Sequence, residues 1–238
     1  AELCSAAARY GIDIMLDGVF NHTGSDSIYF NREGHYPTLG AYQSESSEYY
    51  GWYTFRHYPD DYECWWGVDI LPRVKSGEES YRSFICGDML DKWTCAGVRH
   101  WRLDVADELD DHFIDDFSRS VRQKSVGGLI VCEVWEDASD KVSYGNRRHY
   151  FTHAQLGSVM NYPLRSAVIS YVSDGDTESL RRATEGLYRR YPKYVSDSLM
   201  NILGTHDTER ILTALGDRDW FGESNETLSV RRLSPEDR

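Results

Sequence analysis

The stretch WRLDVADE at residues 101–108 places an arginine and three acidic residues at the end of an apolar run. Four other stretches have the same character: DGVFNH (17–22), LPRVK (71–75), VCEVW (131–135) and GTHD (204–207). A single acidic residue after a strand is common and says little. Five such stretches in one order are hard to obtain by chance, so the set decides the fold and points to chemistry at strand ends.

Strands and helices alternate around these stretches. Apolar runs predict strands at residues 12–20, 98–105, 129–134, 158–161 and 199–204. Helical spacing of apolar residues predicts helices at residues 2–10, 79–93, 109–121, 164–171, 177–191 and 208–215. Residues 216–238 are polar and are expected to be loose.

The alternation indicates an α/β fold built on a parallel sheet with helices outside. Functional groups at the carboxyl ends of such strands are typical of a (β/α)₈ TIM barrel. We expect a partial barrel with about five of the eight strands, formed by residues 1–20 and 81–238. Residues 21–80 are rich in Tyr, Gly, Ser and His and lack periodicity, so they predict a small irregular subdomain inserted after the first strand.

Composition narrows the class of partner. The 238 residues carry a formal charge of -13, which disfavours nucleic acid and anionic membranes because both are held by fields of Lys and Arg. A neutral substrate such as a sugar fits better. Aromatic residues make up 13% of the chain, and flat rings stack on the apolar faces of sugars, although most such rings pack in a core.

The cysteines and the N-terminus bear on location. Five cysteines without CxxC pairs or metal-ligand spacing are expected to be reduced and mostly buried, which favours the cytoplasm. The sequence lacks a signal-peptide pattern and any apolar run long enough to span a bilayer. It also begins in mid-pattern without Met, as an excised piece of a larger protein would, so the location stays unassigned.

The five stretches resemble the ordered sequence regions of the alpha-amylase family of glycoside hydrolases. The resemblance covers nearly all of this chain but only the middle of that family's catalytic barrel. LPRVK at 71–75 is loosely similar to the family's Met-Pro-Lys-Leu-Asn segment and lacks its closing Asn. Together with VMNYP at 159–163 and the Asp107-Glu108 pair, it points to the neopullulanase, cyclomaltodextrinase and maltogenic amylase branch.

The resemblance implies two catalytic carboxyl groups. Glycosidic bonds break through an oxocarbenium-like state that needs one acid and one carboxylate on opposite sides of the bond. By resemblance Asp104 is the nucleophile and Glu133 the general acid/base, which implies retention of configuration and carboxyl groups about 5 Å apart. The alternative is that both acids cap the helices that follow them.

Three further residues complete the implied catalytic group. Arg102 shares a strand face with Asp104 because side chains alternate, and its charge is expected to keep Asp104 ionised. A structural ion pair is the alternative interpretation and is compatible with this one. By resemblance Asp207 is the third carboxylate and binds sugar hydroxyls, with His206 beside it. Without that resemblance a His-Asp pair is a weak signal, and the two residues would simply be part of a loop.

The first stretch supplies a sugar ligand and a support. By resemblance His22 binds the sugar on the cleaved side, and Asp17 supports the strand ends. Asn21 corresponds to a calcium ligand in some members of the family. One Asn does not make a calcium site, which needs six or more oxygens. No cofactor is required by the expected chemistry, and calcium is the single candidate.

Asp107, Glu108 and Trp135 follow the catalytic strands and are predicted to shape the leaving-group side. Asp107 is also suited to cap the helix at 109–121, and Trp135 to pack.

Two other classes of function remain to be weighed. A metal-dependent hydrolase on the same barrel needs converging His ligands, and the early His-x-His pair is missing. A non-catalytic amylase-like domain for carbohydrate binding or assembly would have lost its acid or nucleophile, which this sequence retains. The predicted partner is therefore an α-glucan. Five strands leave open sheet edges, so we expect homo-oligomers and little activity from this chain alone.

Overall fold

The computed structural model describes residues 1–151 and 156–216. The chain forms two compact units, one of residues 1–134 and 138–159, the other of residues 135–137 and the chain from residue 160 onward. The polar stretch expected to be loose lies outside the described residues, apart from Gly216.

The first unit contains a parallel sheet, its helices and an irregular insertion. Its elements in chain order are α1 (Glu2–Ala8), β1 (Met15–Gly18), β2 (Phe55–His57), β3 (Asp61–Tyr62), α2 (Glu79–Phe84), α3 (Leu90–Cys95), β4 (His100–Leu103), α4 (Asp111–Lys124), β5 (Ile130–Cys132), β6 (Val142–Ser143), β7 (Asn146–Arg147) and β8 (Ser158–Val159). A π-helical turn, Ile85–Met89, joins α2 to α3. The helix predicted at 79–93 is thus present and runs to Cys95.

Four strands form the parallel sheet, in the order β1-β4-β5-β8. Asp17 lies beside Arg102 in this register, and Arg102 lies beside Val131. Three of the four residues of β4 and all of β5 are buried, as expected for strands covered on both faces. Since all four strands run in the same direction, their carboxyl ends lie at one edge of the sheet. The predicted α/β class and parallel pairing are both present.

Helix α4 packs an aromatic face against β4. Phe113 and Phe117 are fully buried, and the ring of Phe117 meets Trp101 edge-on with centroids 5.7 Å apart. The four-residue spacing of these side chains predicts such a helix. Asp110 caps α4 by accepting a 2.8 Å hydrogen bond from the His112 N–H, so the interpretation of Asp107 as the cap is wrong.

The insertion between β1 and α2 has an aromatic core of its own. The Phe30 side chain is fully buried and meets Tyr53 and Tyr62 edge-on, with centroids 4.9 and 4.7 Å apart. Two short antiparallel strands, β2 and β3, are its only regular pairing among the described residues. Aromatic packing therefore stands in for secondary structure here, which explains why the sequence shows no periodicity.

The second unit is mainly helical. It contains α5 (Tyr162–Asp174), α6 (Thr177–Arg190), α7 (Lys193–Ser196) and α8 (Ile211–Gly216). The strand predicted at 199–204 is reduced to one parallel bridge between Met160 and Met200, so the expected count of about five strands becomes four and a bridge among the residues that the structure describes. The Asn161 Nδ2 donates to Asn201 Oδ1 at 2.8 Å and anchors that segment with side chains.

Two smaller expectations are corrected. The segment after β5, where the sequence pattern predicts neither strand nor helix, contains the hairpin β6–β7, whose turn residues Tyr144 and Gly145 both have positive φ, 50° and 79°. All five cysteines are unpaired as expected, but only Cys86 and Cys132 are buried. In the described ranges we find no helix with the length and hydropathy needed to cross a bilayer.

Candidate active site

Arg102 on β4 lies at the centre of a cluster of three carboxylates. Its Nη1 donates to Asp17 Oδ1 and Oδ2 at 2.7 and 2.9 Å and to Asp104 Oδ1 at 2.7 Å, while its Nη2 donates to Glu133 Oε2 at 2.7 Å. The parallel register brings Asp17 and Arg102 side by side, and strand alternation places Asp104 on the same face as Arg102. One guanidinium thus connects acids from three adjacent strands.

Glu133 follows β5 directly and its side chain is 3% exposed. Its Oε2 accepts a second hydrogen bond, 2.8 Å, from the Val105 N–H. Val105 adopts φ 35° and ψ 60°, a left-handed conformation that is rare for a β-branched residue. Strained backbone of this kind concentrates at functional sites. The sequence contains no signal for this contact.

Asp104 is mostly buried, with a side chain 18% exposed. Its pKa is raised to about 6, chiefly by burial; the Arg102 guanidinium lowers the pKa, and the neighbouring charge of Glu133 raises it. The sequence pattern predicts instead that the guanidinium dominates. The loss of water around the buried carboxylate raises the pKa by more than the Arg102 charge lowers it. Around neutral pH the Asp104 side chain is still mainly ionised.

His22 lies just beyond β1, where it pairs with Arg73 in an isolated antiparallel bridge. Its imidazole stacks on the indole of Trp65, with centroids 5.2 Å apart and an interplanar angle of 28°. Burial lowers the pKa of His22, so the ring is neutral at neutral pH and has one N–H to donate.

Asn21 is 1% exposed, and neither its amide oxygen nor its amide nitrogen finds a hydrogen-bond partner among the described residues. Such an orphaned group is unusual in a native structure. Within residues 1–151 and 156–216, however, no three His, Cys, Asp or Glu side chains converge to hold a metal ion. The Asn21 amide offers calcium a single neutral oxygen, and the carboxylates that the ion prefers are not assembled around it.

Asp107 and Glu108 make firm contacts within the first unit. The Tyr150 hydroxyl donates to Asp107 Oδ1 at 2.5 Å, and Lys141 Nζ lies 3.0 Å from Asp107 Oδ2. Glu108 pairs with Arg73 at 3.2 Å and accepts a hydrogen bond from the Tyr144 hydroxyl. Both carboxylates border a cavity of about 540 Å³.

The remaining predicted residues belong to the second unit. Trp135 stacks on Tyr162, with centroids 4.1 Å apart and an angle of 13°. His206 Nε2 lies 3.1 Å from Asp207 Oδ2, and the Asp207 N–H donates to Thr205 Oγ1 at 3.2 Å. His206 and Asp207 are both exposed.

Two residues that the sequence pattern does not single out hold the segment after Asp104. Arg148 is buried and donates from Nη2 to the Leu109 carbonyl at 2.6 Å. Tyr144 contacts Glu108, and the Arg73 guanidinium lies 5.4 Å from the centroid of its ring. Both residues come from the segment around β6–β7.

Comparison with known proteins gives concordant matches. Residues 1–233 match the family model described as "Alpha amylase, catalytic domain". An amylopullulanase of Thermoanaerobacterium thermosulfurigenes is 38% identical over 248 residues, covering 90% of this chain and 13% of that protein. Neopullulanase 2 of Thermoactinomyces vulgaris is 32% identical over 224 residues, covering 90% of this chain and 35% of that protein.

A solved structure agrees with these matches. The cyclic α-maltosyl-(1→6)-maltose hydrolase of Arthrobacter globiformis superposes with a TM-score of 0.77 at 26% identity, covering 90% of this chain and 46% of that one. The chain therefore spans less than half the length of each of these three relatives. The expected fold, part of a TIM barrel, is confirmed.

Proposed function

Since this chain belongs to the alpha-amylase family of glycoside hydrolases, in the branch that includes neopullulanases, we propose that it is the central part of a retaining enzyme that hydrolyses α-glucosidic bonds. The observation that supports this best is that Arg102 donates hydrogen bonds of 2.7 Å to both Asp104 and Glu133. The pair lies at the carboxyl ends of neighbouring parallel strands, where barrel enzymes bind their substrates.

The proposed chemistry divides between the two carboxyl groups. An Asp104 oxygen attacks the anomeric carbon as Glu133 donates a proton to the glycosidic oxygen, so that the bond to the leaving sugar breaks and a glycosyl–Asp104 ester forms. Glu133 then takes a proton from water, whose oxygen attacks the anomeric carbon and releases Asp104. Two inversions give net retention.

The surrounding groups support this cycle. Arg102 and the Val105 N–H fix the Glu133 carboxyl, which narrows its orientations before the sugar arrives. Neutral His22 donates a hydrogen bond to a hydroxyl of the sugar that is cleaved. Family resemblance assigns Asp207, with His206, the binding of hydroxyls as the ring flattens, and assigns Glu108 and Trp135 a role on the leaving-group side. Asp107, committed to Tyr150 and Lys141, positions the segment that carries Glu108.

The proposed substrates are α-glucans of the kinds that the relatives' names indicate, namely pullulan, cyclic maltooligosaccharides and starch-like chains. A non-catalytic carbohydrate-binding domain is the alternative. All three acids of the proposed catalytic group are present, which favours the enzyme. We also propose that the 238-residue chain by itself has little or no turnover, and that calcium is not required.

Hydrolysis of maltotetraose, pullulan and a cyclodextrin, with and without EDTA, tests the proposal in this chain and in any longer form of the protein. The matched variants are Glu133→Gln and Glu2→Gln, the latter at an exposed position in α1. We expect Glu133→Gln to abolish cleavage, Glu2→Gln to preserve it, and NMR to detect the α-anomer first. A β-anomeric first product would contradict retention, and glucan binding without cleavage in any form would favour the binding domain.

Leaving-group dependence separates the two carboxyl roles. An aryl α-maltoside with an acidic phenol needs little protonation, so Glu133→Gln should cleave it far better than it cleaves maltotetraose. Asp104→Asn should lose both activities alike, because the nucleophile is needed for either substrate. If instead Asp104→Asn kept cleavage of the aryl maltoside and Glu133→Gln lost both activities, Asp104 would be the acid and Glu133 the nucleophile.

A further inference from the structure

Trp66 is one of the most exposed large side chains in the described part of the protein, at 81% of its full accessibility. It lies in the insertion, in the 3-10 turn Trp65–Gly67, with φ 51° and ψ 28°. This left-handed conformation is one that glycine adopts readily and a bulky residue rarely does. The Trp66 indole is thus exposed to solvent at a position where the backbone conformation favours glycine, and with 81% of the side chain in solvent the ring gains little from packing.

The indole continues a series of rings that starts at the candidate active site. His22 stacks on Trp65 at 5.2 Å, and Trp65 lies 5.8 Å from Trp66. His22 is the residue proposed to bind the sugar that is cleaved. Trp66 is therefore the outer end of a path of flat rings that leads away from that sugar.

Polar groups flank the turn. A cavity of about 390 Å³ is lined by Gly67 of the turn and by Cys64 just before it, together with Arg56, Tyr62, Glu63 and Arg73. An aromatic face beside charged donors and acceptors suits a ligand whose faces are apolar and whose rim carries hydroxyls. A sugar ring has that distribution, whereas a purely apolar ligand would leave the charged groups unsatisfied.

We propose that Trp66 is a stacking platform for a glucosyl unit of the α-glucan, remote from the unit held at His22. This inference rests on the proposed function and deepens it, because it assigns the insertion a role in selecting longer chains. The strained turn presents the ring, and the fold tolerates the strain since the turn is fastened by the Trp65 N–H to Leu71 carbonyl bond of 2.9 Å.

Trp66→Gly gives a sharp test because the structural and binding roles predict opposite results. If the indole were structural, its loss would lower the melting temperature. With 81% of the side chain in solvent and a backbone that favours glycine, we expect the melting temperature to hold or rise. Affinity for a long glucan should fall roughly tenfold, the size of one lost aromatic contact, while affinity for maltose should stay within about twofold.

The experiment is calorimetric titration of the full chain with maltose, maltotetraose and maltohexaose. Trp66→Phe keeps a ring and should retain most of the affinity for maltohexaose. Tyr10→Ala removes a ring of similar exposure, 82%, near α1 and should change nothing. With 5-fluorotryptophan incorporated, the resonance missing from Trp66→Phe should shift when maltohexaose is added.

The outcomes separate this inference from the proposed function. Glucans bound equally well by the wild type and Trp66→Gly, with an unmoved resonance, would overturn the platform and leave the enzyme assignment intact. Equal losses for maltose and maltohexaose would also overturn it, since a platform for a remote unit cannot affect a disaccharide held at His22. No binding of any α-glucan by the wild type would overturn both.

Discussion

Arg102 and Glu133 are joined by a 2.7 Å hydrogen bond between Nη2 and Oε2, with the Glu133 side chain 3% exposed and that of Arg102 11% exposed. The other amino group of the same guanidinium, Nη1, donates hydrogen bonds to Asp17 and Asp104. A planar fork with fixed donors can bridge acids from three strands, while a single ammonium cannot. The geometry of the two proposed catalytic carboxyl groups therefore depends on one side chain.

Arg102→Lys should show this dependence. Lysine keeps the charge but cannot serve both sides, so one buried carboxylate loses its partner, at a cost of about 3–5 kcal/mol in the free energy of unfolding. We expect a large fall in the urea midpoint of this chain, and in kcat in any form of the protein that turns over. The matched control is Arg99→Lys, whose exposed pair with Asp13 at 3.1 Å should contribute less than about 1 kcal/mol. Equal small effects at both sites would contradict the bridging role.

The pH profile of turnover should report Asp104. Burial and the charge of Glu133 raise its pKa to about 6, and the nucleophile must be ionised to attack. Cleavage also needs a proton on Glu133, and the titration near 6 removes the last proton of the pair because Glu133 is charged in it, so we expect kcat/KM to fall as pH rises above about 6. Carbon NMR of the Asp104 carboxyl group gives the same midpoint directly. In Glu133→Gln that midpoint should move down, because the charge that raised the pKa is gone, and an unchanged midpoint would refute the coupling.

Stability should depend on pH with the corresponding sign. Because the folded pKa of Asp104 lies above the value of 3.8 expected for the unfolded chain, the ionised form is the one that folding disfavours. The protonated Asp104 side chain therefore contributes fully to the free energy of unfolding below pH 3.8, and this contribution is lost as pH rises to about 6. Asp104→Asn should therefore raise stability at neutral pH by about 2 kcal/mol and leave it unchanged at pH ~3, below the unfolded pKa. Calorimetric melting at the two pH values checks this, and a lower melting temperature for the variant at neutral pH would contradict it.

The core of the insertion should be sensitive to one ring. Phe30 is fully buried among Tyr53, Tyr62 and Phe55, so Phe30→Ala leaves a cavity and should cost about 3–5 kcal/mol of unfolding free energy. Leu39→Ala, at a side chain 56% exposed in the same segment, is the control and should change little. Urea unfolding and amide exchange of the insertion measure both. A Phe30→Ala protein as stable as the control would mean that the aromatic cluster does not hold the insertion.

Much of the side-chain arrangement at the carboxyl edge of the sheet can be predicted from local sequence pattern. The alternation of side chains predicts that Arg102 and Asp104 share a face, and parallel strands predict that groups following β4 and β5 meet at one edge. Both relations need only the position of each residue along its own strand. The four-residue spacing on α4 is equally local, and it predicts that helix to within a few residues of its true ends.

The features that local pattern does not predict depend on tertiary packing. Residues 199–204 are apolar enough for a strand, yet a strand needs a partner over several residues, and in the described part of the chain Met200 pairs only with Met160. The hairpin turn uses Tyr144 at positive φ, where Asn or Asp is the usual signal. The pKa of Asp104 escapes prediction because desolvation depends on which side chains close over the carboxylate, and sequence spacing shows only that Arg102 is near.

The outer edge of β1 should govern association of this chain. In the described ranges β1 pairs with β4 alone, so its other edge presents unpaired backbone groups, which invite a strand from another chain. We expect light scattering after gel filtration to detect oligomers that increase with concentration. Met15→Lys places a charge at a half-exposed edge position and should shift the population toward monomer, whereas Ile12→Lys, outside the strand and 57% exposed, should not. A monodisperse monomer at every concentration would eliminate edge pairing, and equal effects of the two lysines would assign the association to general surface hydrophobicity.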